Sequence, residues 1–182
     1  MKKPATNSLQ IRSGLPDALR VLADAYPRAN WERHKNFGDM IQFWMQRHLM
    51  FRQLTDIMRS DVQSHLDGKM TFREYAPRLS HYGGTLLNEL HGHHHIEDSH
   101  YFPQLITLDA RLERAFDLLE SDHQEMDGLL NTMANGANAV LQGGEAGVFL
   151  DQLNSFTTLL NRHLEDEEDI VVPVVLDTGF RG

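Results

Sequence analysis

The chain has 182 residues, 41% hydrophobic and 24% charged, enough for one domain with a real core and too few for two. Its formal charge of −9, from 17 Lys+Arg against 26 Asp+Glu, argues against charge-driven binding to nucleic acid. Zero cysteines exclude disulfides, iron–sulfur clusters, zinc ribbons and thiol catalysis, and fit a reducing, cytoplasmic compartment.

Helical periodicity dominates the chain and strand signals are nearly absent. The opening MKKPATNSLQIR carries basic residues with no apolar stretch behind them, which is not the pattern of a secretory leader. No apolar run approaches the ~20 residues that cross a bilayer, so no membrane partner is expected. A short helix is expected from about Pro16 to Ala25, with Pro27 stopping it. Residues 1–30 then read as an extension that caps the remainder or mediates a homodimer. The first long helix is expected from Phe37 to His65, ending at Asp67-Gly68. A second opens at Thr71, where TFRE is a capping-box pattern, and stops at Phe102-Pro103. A third runs from Asp109 to Gly143-Gly144, and a fourth from Glu145 to Val172. The stretch IVVPVVL, Ile170–Leu176, reads as a frayed helix end rather than a strand, because Pro173 is poor in a paired strand. The expected architecture is all-α, an up-down-up-down four-helix bundle over residues 31–182 with an extra short N-terminal helix.

Each long helix carries one apolar stripe at three- and four-residue spacing, interrupted at a single place. The first stripe runs through Trp44, His48 and Phe51; the second through Leu90, His93, Glu97 and Tyr101. The third runs through Leu119, His123 and Met126; the fourth through Leu160, His163, Glu167 and Val171. One histidine on an apolar stripe is most often a hydrogen-bonded core residue. Four in four helices, with two carboxylates, would cost several kcal/mol if left without partners. They also lie level: His123 precedes Gly143 by 20 residues and His163 follows Gly144 by 19, each about 30 Å from the same turn at ~1.5 Å per residue. His48 and His93 match less tightly around Gly68. Residues 93–103, HHHIEDSHYFP, and 163–173, HLEDEEDIVVP, share the frame H-x-x-x-E-[ED]-x-x-x-x-P, so the fold reads as two similar hairpins.

The spacing H-x-x-x-E puts imidazole and carboxylate one turn apart on one face, able to reach one point. Four imidazoles and two potentially bridging carboxylates suit a dinuclear centre of Fe, Mn or Zn, and an open coordination position there takes a small ligand. Glu167 needs a cation, whereas Glu165, Asp166 and Asp169 of the run EDEED (165–169) read as a solvated face.

This pattern resembles the hemerythrin-like (HHE cation-binding) domain over roughly residues 37–176, and HHHIEDSHYFP is similar to that family's second-helix signature. The resemblance implies two non-heme iron ions, oxo- or hydroxo-bridged, held by His48, His93, Glu97, His123, His163 and Glu167. Departures are specific. The oxygen carriers of the family have H-x-x-x-H on the third helix, where this chain has Asp127, free to ligate, to hydrogen-bond a ligand or to pair with Arg52. On the fourth helix Glu168 stands at the carriers' acidic spacing, but Glu167 matches Glu97 in the internal repeat. The cysteine segment of the iron–sulfur repair branch is missing. His94 with Asp98 is an alternative register with a less apolar stripe; His91, His94, His95 and His100 read as exposed or supporting, and His34, His65 and His81 carry no spacing. Trp44, Phe51 and Met126 read as core that becomes pocket wall if the site exists.

The main rival fold is ferritin-like, marked by two E-x-x-H motifs. Glu97–His100 and Glu120–His123 match, but on successive helices, and the first helix has no carboxylate between Asp39 and Asp56. The expected function is binding or sensing of O2 or a related ligand such as NO or peroxide, with iron storage, detoxification or di-iron redox chemistry as alternatives. No general base or nucleophile stands apart from the cluster, which disfavours an enzyme. No output domain is attached, so a sensor requires a separate signalling partner.

Overall fold

The computed structural model describes residues 8–20 and 22–182. The described residues form five α-helices and no strand: α1 (Asp39–Leu66), α2 (Phe72–Ile96), α3 (Phe102–Leu108), α4 (Glu113–Leu141) and α5 (Ala146–Thr178). A π-helical turn, Glu97–Tyr101, joins α2 to α3, and short 3-10 segments lie at Asp17–Leu19, Arg28–Arg33 and Ala110–Leu112. No helix among the described residues is long and apolar enough to cross a membrane.

The four long helices start and stop on local chemistry. Thr71 and Glu74 cap α2 reciprocally: Thr71 N–H donates to Glu74 Oε2 at 2.9 Å, and Glu74 N–H donates to Thr71 Oγ1 at 3.4 Å. The α4–α5 turn needs Gly143 at φ +93°, and Gly144 because a Cβ there would sit 2.7 Å from the Ala139 carbonyl oxygen. Helix α1 packs on α2 and α5, and α4 packs on the same two, so each long helix touches two others around a shared interior.

Three expectations are corrected. The N-terminal α-helix from Pro16 to Ala25 is replaced, in the described residues, by turns and the 3-10 segment Asp17–Leu19. Leu15, Leu22 and Trp31 are buried one by one against Val171, Val175 and their neighbours, rather than along one helical stripe, and so short a helix is costly to nucleate. Helix α5 does not fray: it continues through Pro173 to Thr178. Every residue from Ile170 to Leu176 is buried, and that apolar contact offsets the roughly 3 kcal/mol of an interior proline. Finally, the second helix does not end at Pro103. The π turn breaks the α ladder first, and the chain resumes as α3 with that proline in its first turn, where a missing N–H costs little.

Buried apolar residues divide into two clusters. One holds Phe51, Leu90, Met126 and Leu160; the other holds Trp44, Phe102, Leu119 and Ile170. The change of cluster falls near one height: between Trp44 and Phe51 in α1, Leu90 of α2 and Phe102 of α3, Leu119 and Met126 in α4, and Leu164 and Ile170 in α5. His48, His93 and His123 lie in the first three intervals, Glu167 lies in the fourth and His163 just before it, so a polar layer sits between two apolar ones.

Candidate metal centre

The layer contains all six side chains singled out in the sequence, and one more. His48, His93, Glu97 and Glu167 place ligand atoms within 4.8 Å of one another, and His94, His123 and His163 do the same beside them. The two carboxylates span the two groups. Glu97 sets Oε1 2.8 Å from His93 Nε2 and Oε2 3.6 Å from His123 Nε2. Glu167 sets Oε1 3.3 Å from His48 Nε2 and Oε2 3.4 Å from His163 Nε2. Each glutamate therefore offers one oxygen to each group.

His94 was not selected from the stripe pattern, yet it is buried, stacked on His123 with ring centroids 4.1 Å apart. Its neighbour His93 faces His48 on α1, with Nε2 atoms 3.1 Å apart. Adjacent residues on a helix diverge by about 100°, and α2 touches both α1 and α4, so both histidines point inward to different partners. The doubled histidine in HHHIE was the available signal. The π turn then shifts the stripe by one: Glu97 is followed on the buried face by Phe102 and Leu105, while Tyr101 is only half-buried.

The outward nitrogens are held by acids from neighbouring elements. Glu168 Oε1 lies 2.9 Å from His48 Nδ1, Asp98 Oδ1 2.7 Å from His123 Nδ1, and Asp122 Oδ2 3.4 Å from His163 Nδ1. This arrangement turns Nδ1 of His48, His123 and His163 toward an acid and Nε2 inward, the orientation of histidines bound to metal. Glu168 thus supports His48 from behind rather than joining the cluster, and it also accepts from Arg28 and Arg52. Asp127 is exposed, 3.4 Å from His91 and paired with neither the cluster nor Arg52. The ferritin-like motifs fail because Glu120 and His100 are exposed. Trp44 is buried and donates its indole N–H to Glu167 Oε1. A cavity of about 490 Å³ opens between α1 and α2, lined by Met40, Phe43, Trp44, Gly92, Ile96 and Tyr101 among others, and reaches His93 and Glu97.

Seven buried polar atoms of the layer have no hydrogen-bond partner: both nitrogens of His94, both oxygens of Glu97, Nε2 of His123 and His163, and Oε2 of Glu167. At about 1–3 kcal/mol each, their unmet demand rivals the ~5–15 kcal/mol total stability of an ordinary domain. All seven converge on one place, and nitrogen and oxygen donors together are what a divalent cation satisfies, so the residues present fit a metal. The electrostatics agree. Burial, reinforced by the Glu167 charge, raises Glu97 well above the usual carboxylate range. Burial would raise Glu167 too, but His48 and His163 hold it well below that range. Burial lowers His93 to about 3, and burial with neighbouring His123 and His163 drives His94 well down. For His163, burial is outweighed by Asp122 and Glu167, which push it up to about 9. His94, whose neutral form burial favours and whose two ring nitrogens have no hydrogen-bond partner, is poised to coordinate within reach of the Glu167 charge.

No curated protein and no solved structure matches the chain. The family model described as the hemerythrin HHE cation-binding domain matches residues 39–175, which contain all seven inward-facing side chains, and the chain belongs to that family.

Proposed function

We propose that this protein holds two iron ions in an up-down-up-down bundle and uses them to bind or sense O2 or a related small ligand. The observation that carries the dinuclear reading is the pair of glutamates, each with one oxygen toward each histidine group. His48 and His93 would hold one ion and His94, His123 and His163 the other, with Glu97 and Glu167 each offering an oxygen to both groups. Iron in such a nitrogen–oxygen set supplies one-electron redox chemistry and an open position for a diatomic ligand. Asp98, Asp122 and Glu168 keep the rings oriented, and Trp44 keeps Glu167 turned inward. The cavity between α1 and α2 supplies apolar access at the His93–Glu97 side. Its asymmetry, with three imidazoles on one side and two on the other, supports ligand binding at the poorer subsite, which is also the one the cavity reaches.

Metal analysis of protein purified from iron-supplemented cells tests the reading. Two irons per chain are expected, with a charge-transfer band that appears on aeration and disappears under argon. Glu97→Ala should lose one or both ions. Iron at one per chain or fewer in the wild type, or full retention in Glu97→Ala, overturns it.

A further inference from the structure

The acids behind the histidines are themselves gripped, and the grip comes from residues ahead of the matched family domain. Arg12 is buried; its Nη1 donates to Asp122 Oδ1 at 2.7 Å, its Nη2 donates to Asp122 Oδ2, and its Nε donates to Asp166 Oδ2 at 3.0 Å. Asp122 holds His163. Arg28 donates from Nη1 to Glu168 Oε2 at 2.6 Å, from Nε to Asp169 Oδ1 at 2.8 Å and from Nη2 to the Glu165 carbonyl at 2.8 Å. Glu168 holds His48. The segment carrying both arginines is anchored independently. Leu9 is fully buried in the core and its carbonyl accepts from Arg162 at 2.8 Å, while Ser8 donates to Glu125 at 2.9 Å. The run EDEED, which read in the sequence as a mostly solvated face, is instead partly buried and met by these two cations.

We propose that Arg12 and Arg28 are positioning residues for the two metal subsites, each fixing the carboxylate that orients one ligand histidine. The N-terminal segment is then a clamp with one tooth per ion. The inference rests on the dinuclear reading above. A bidentate arginine leaves a carboxylate one orientation and draws off part of its charge. Without Arg12, the buried Asp122 and Asp166 would lose the guanidinium they share, and Asp122 would lose the geometry that aims His163 Nε2 inward. The two arginines differ in backup: Arg52 also reaches Glu168, at 2.9 Å, whereas among the described residues no lysine or second arginine pairs with Asp122. Arg12 should therefore matter more.

The test is Co(II) titration of metal-free full-length protein, followed by visible absorption and metal analysis, with the two steps assigned by His48→Gln and His123→Gln. Wild type takes up two ions. Arg12→Gln should weaken the His94–His123–His163 step by about 10- to 100-fold and spare the other. Arg28→Gln should weaken the His48–His93 step by less. Arg12→Lys and Arg28→Lys, which keep charge without the fork, should recover part of each loss; if Arg12→Gln does not fold, Arg12→Lys carries the same selective comparison. Unchanged binding in both variants, or equal weakening of both steps, overturns the clamp. A wild-type chain that takes up no pair of Co(II) ions overturns the dinuclear reading instead.

Discussion

Replacing His94 by leucine should make the metal-free protein more stable and the metal-bound protein worse. The side chain is buried with neither ring nitrogen hydrogen-bonded, and burial disfavours its charged form. Each buried unsatisfied polar atom costs about 1–3 kcal/mol, and a leucine of similar volume removes two. Imperfect packing against the stacked His123 ring gives back up to about 1.5 kcal/mol. The net expectation is a gain of about 0.5–6 kcal/mol for the chelated protein, roughly 1–24 °C in Tm for a domain of this size. Meanwhile the His123–His163 subsite loses a nitrogen ligand, so metal analysis should fall toward one ion per chain. Paired urea or thermal melts of chelated wild type and His94→Leu, beside metal analysis of loaded samples, read both signs. A metal-free variant less stable than wild type, with two ions retained, would show that His94 is a satisfied core residue and refute the reasoning.

Four further outcomes follow from the same geometry. Loading metal-free protein near pH 7 should release a proton, because His163 stays charged up to about 9 and burial favours the protonated form of Glu97; calorimetry in buffers of differing ionisation enthalpy measures this, and affinity should climb with pH. The His163 shift is upward from 6.5, so its contribution to the chelated fold is complete below about pH 6.5 and vanishes as pH rises through about 9; wild type should lose stability across that window relative to His163→Gln. Gly92 lines the cavity and a Cβ there meets nothing within 4 Å, so Gly92→Leu should slow ligand access several-fold in stopped-flow mixing while gaining up to about 1 kcal/mol of helix stability. Deleting Ser99, exposed within the π turn, should restore α-helical spacing from Glu97 to Phe102, leave the fold cooperative by circular dichroism, and displace Asp98 from His123 so that metal content drops.

The sequence carried the layer because burial imposes periodicity. His48, His123 and His163 each replace an apolar residue in an unbroken stripe, and Glu167 follows one turn after His163 on a helix that stays regular. His94 escaped the same reading for a geometric reason: a stripe describes a helix facing one partner, whereas α2 faces two. The π turn was invisible because Phe102 and Tyr101 are both aromatic and either could close the stripe. Glu168 read only as the alternative ligand to Glu167, since nothing along the chain tells that Arg28, 140 residues away, lies over it. Arg12 carried no periodic signal at all; its role exists only through contacts more than 100 residues distant in sequence.

Local conflict in this chain is concentrated at one height. The apolar stripe runs along most of α1, α4 and α5, then at a single layer the fold tolerates bare nitrogens, a carboxyl pushed toward its protonated form by burial and a broken helical ladder together. A sequence selected for stability alone would remove these one at a time, since the first leucine there already helps the metal-free fold. Their joint persistence is explained if the working state is the loaded one, in which a metal at a hundred times its dissociation constant returns about 2.7 kcal/mol per site. The apolar layers on either side then have a second role. By keeping water from the seven bare atoms they raise the cost of the empty site, and so deepen the preference for the filled one.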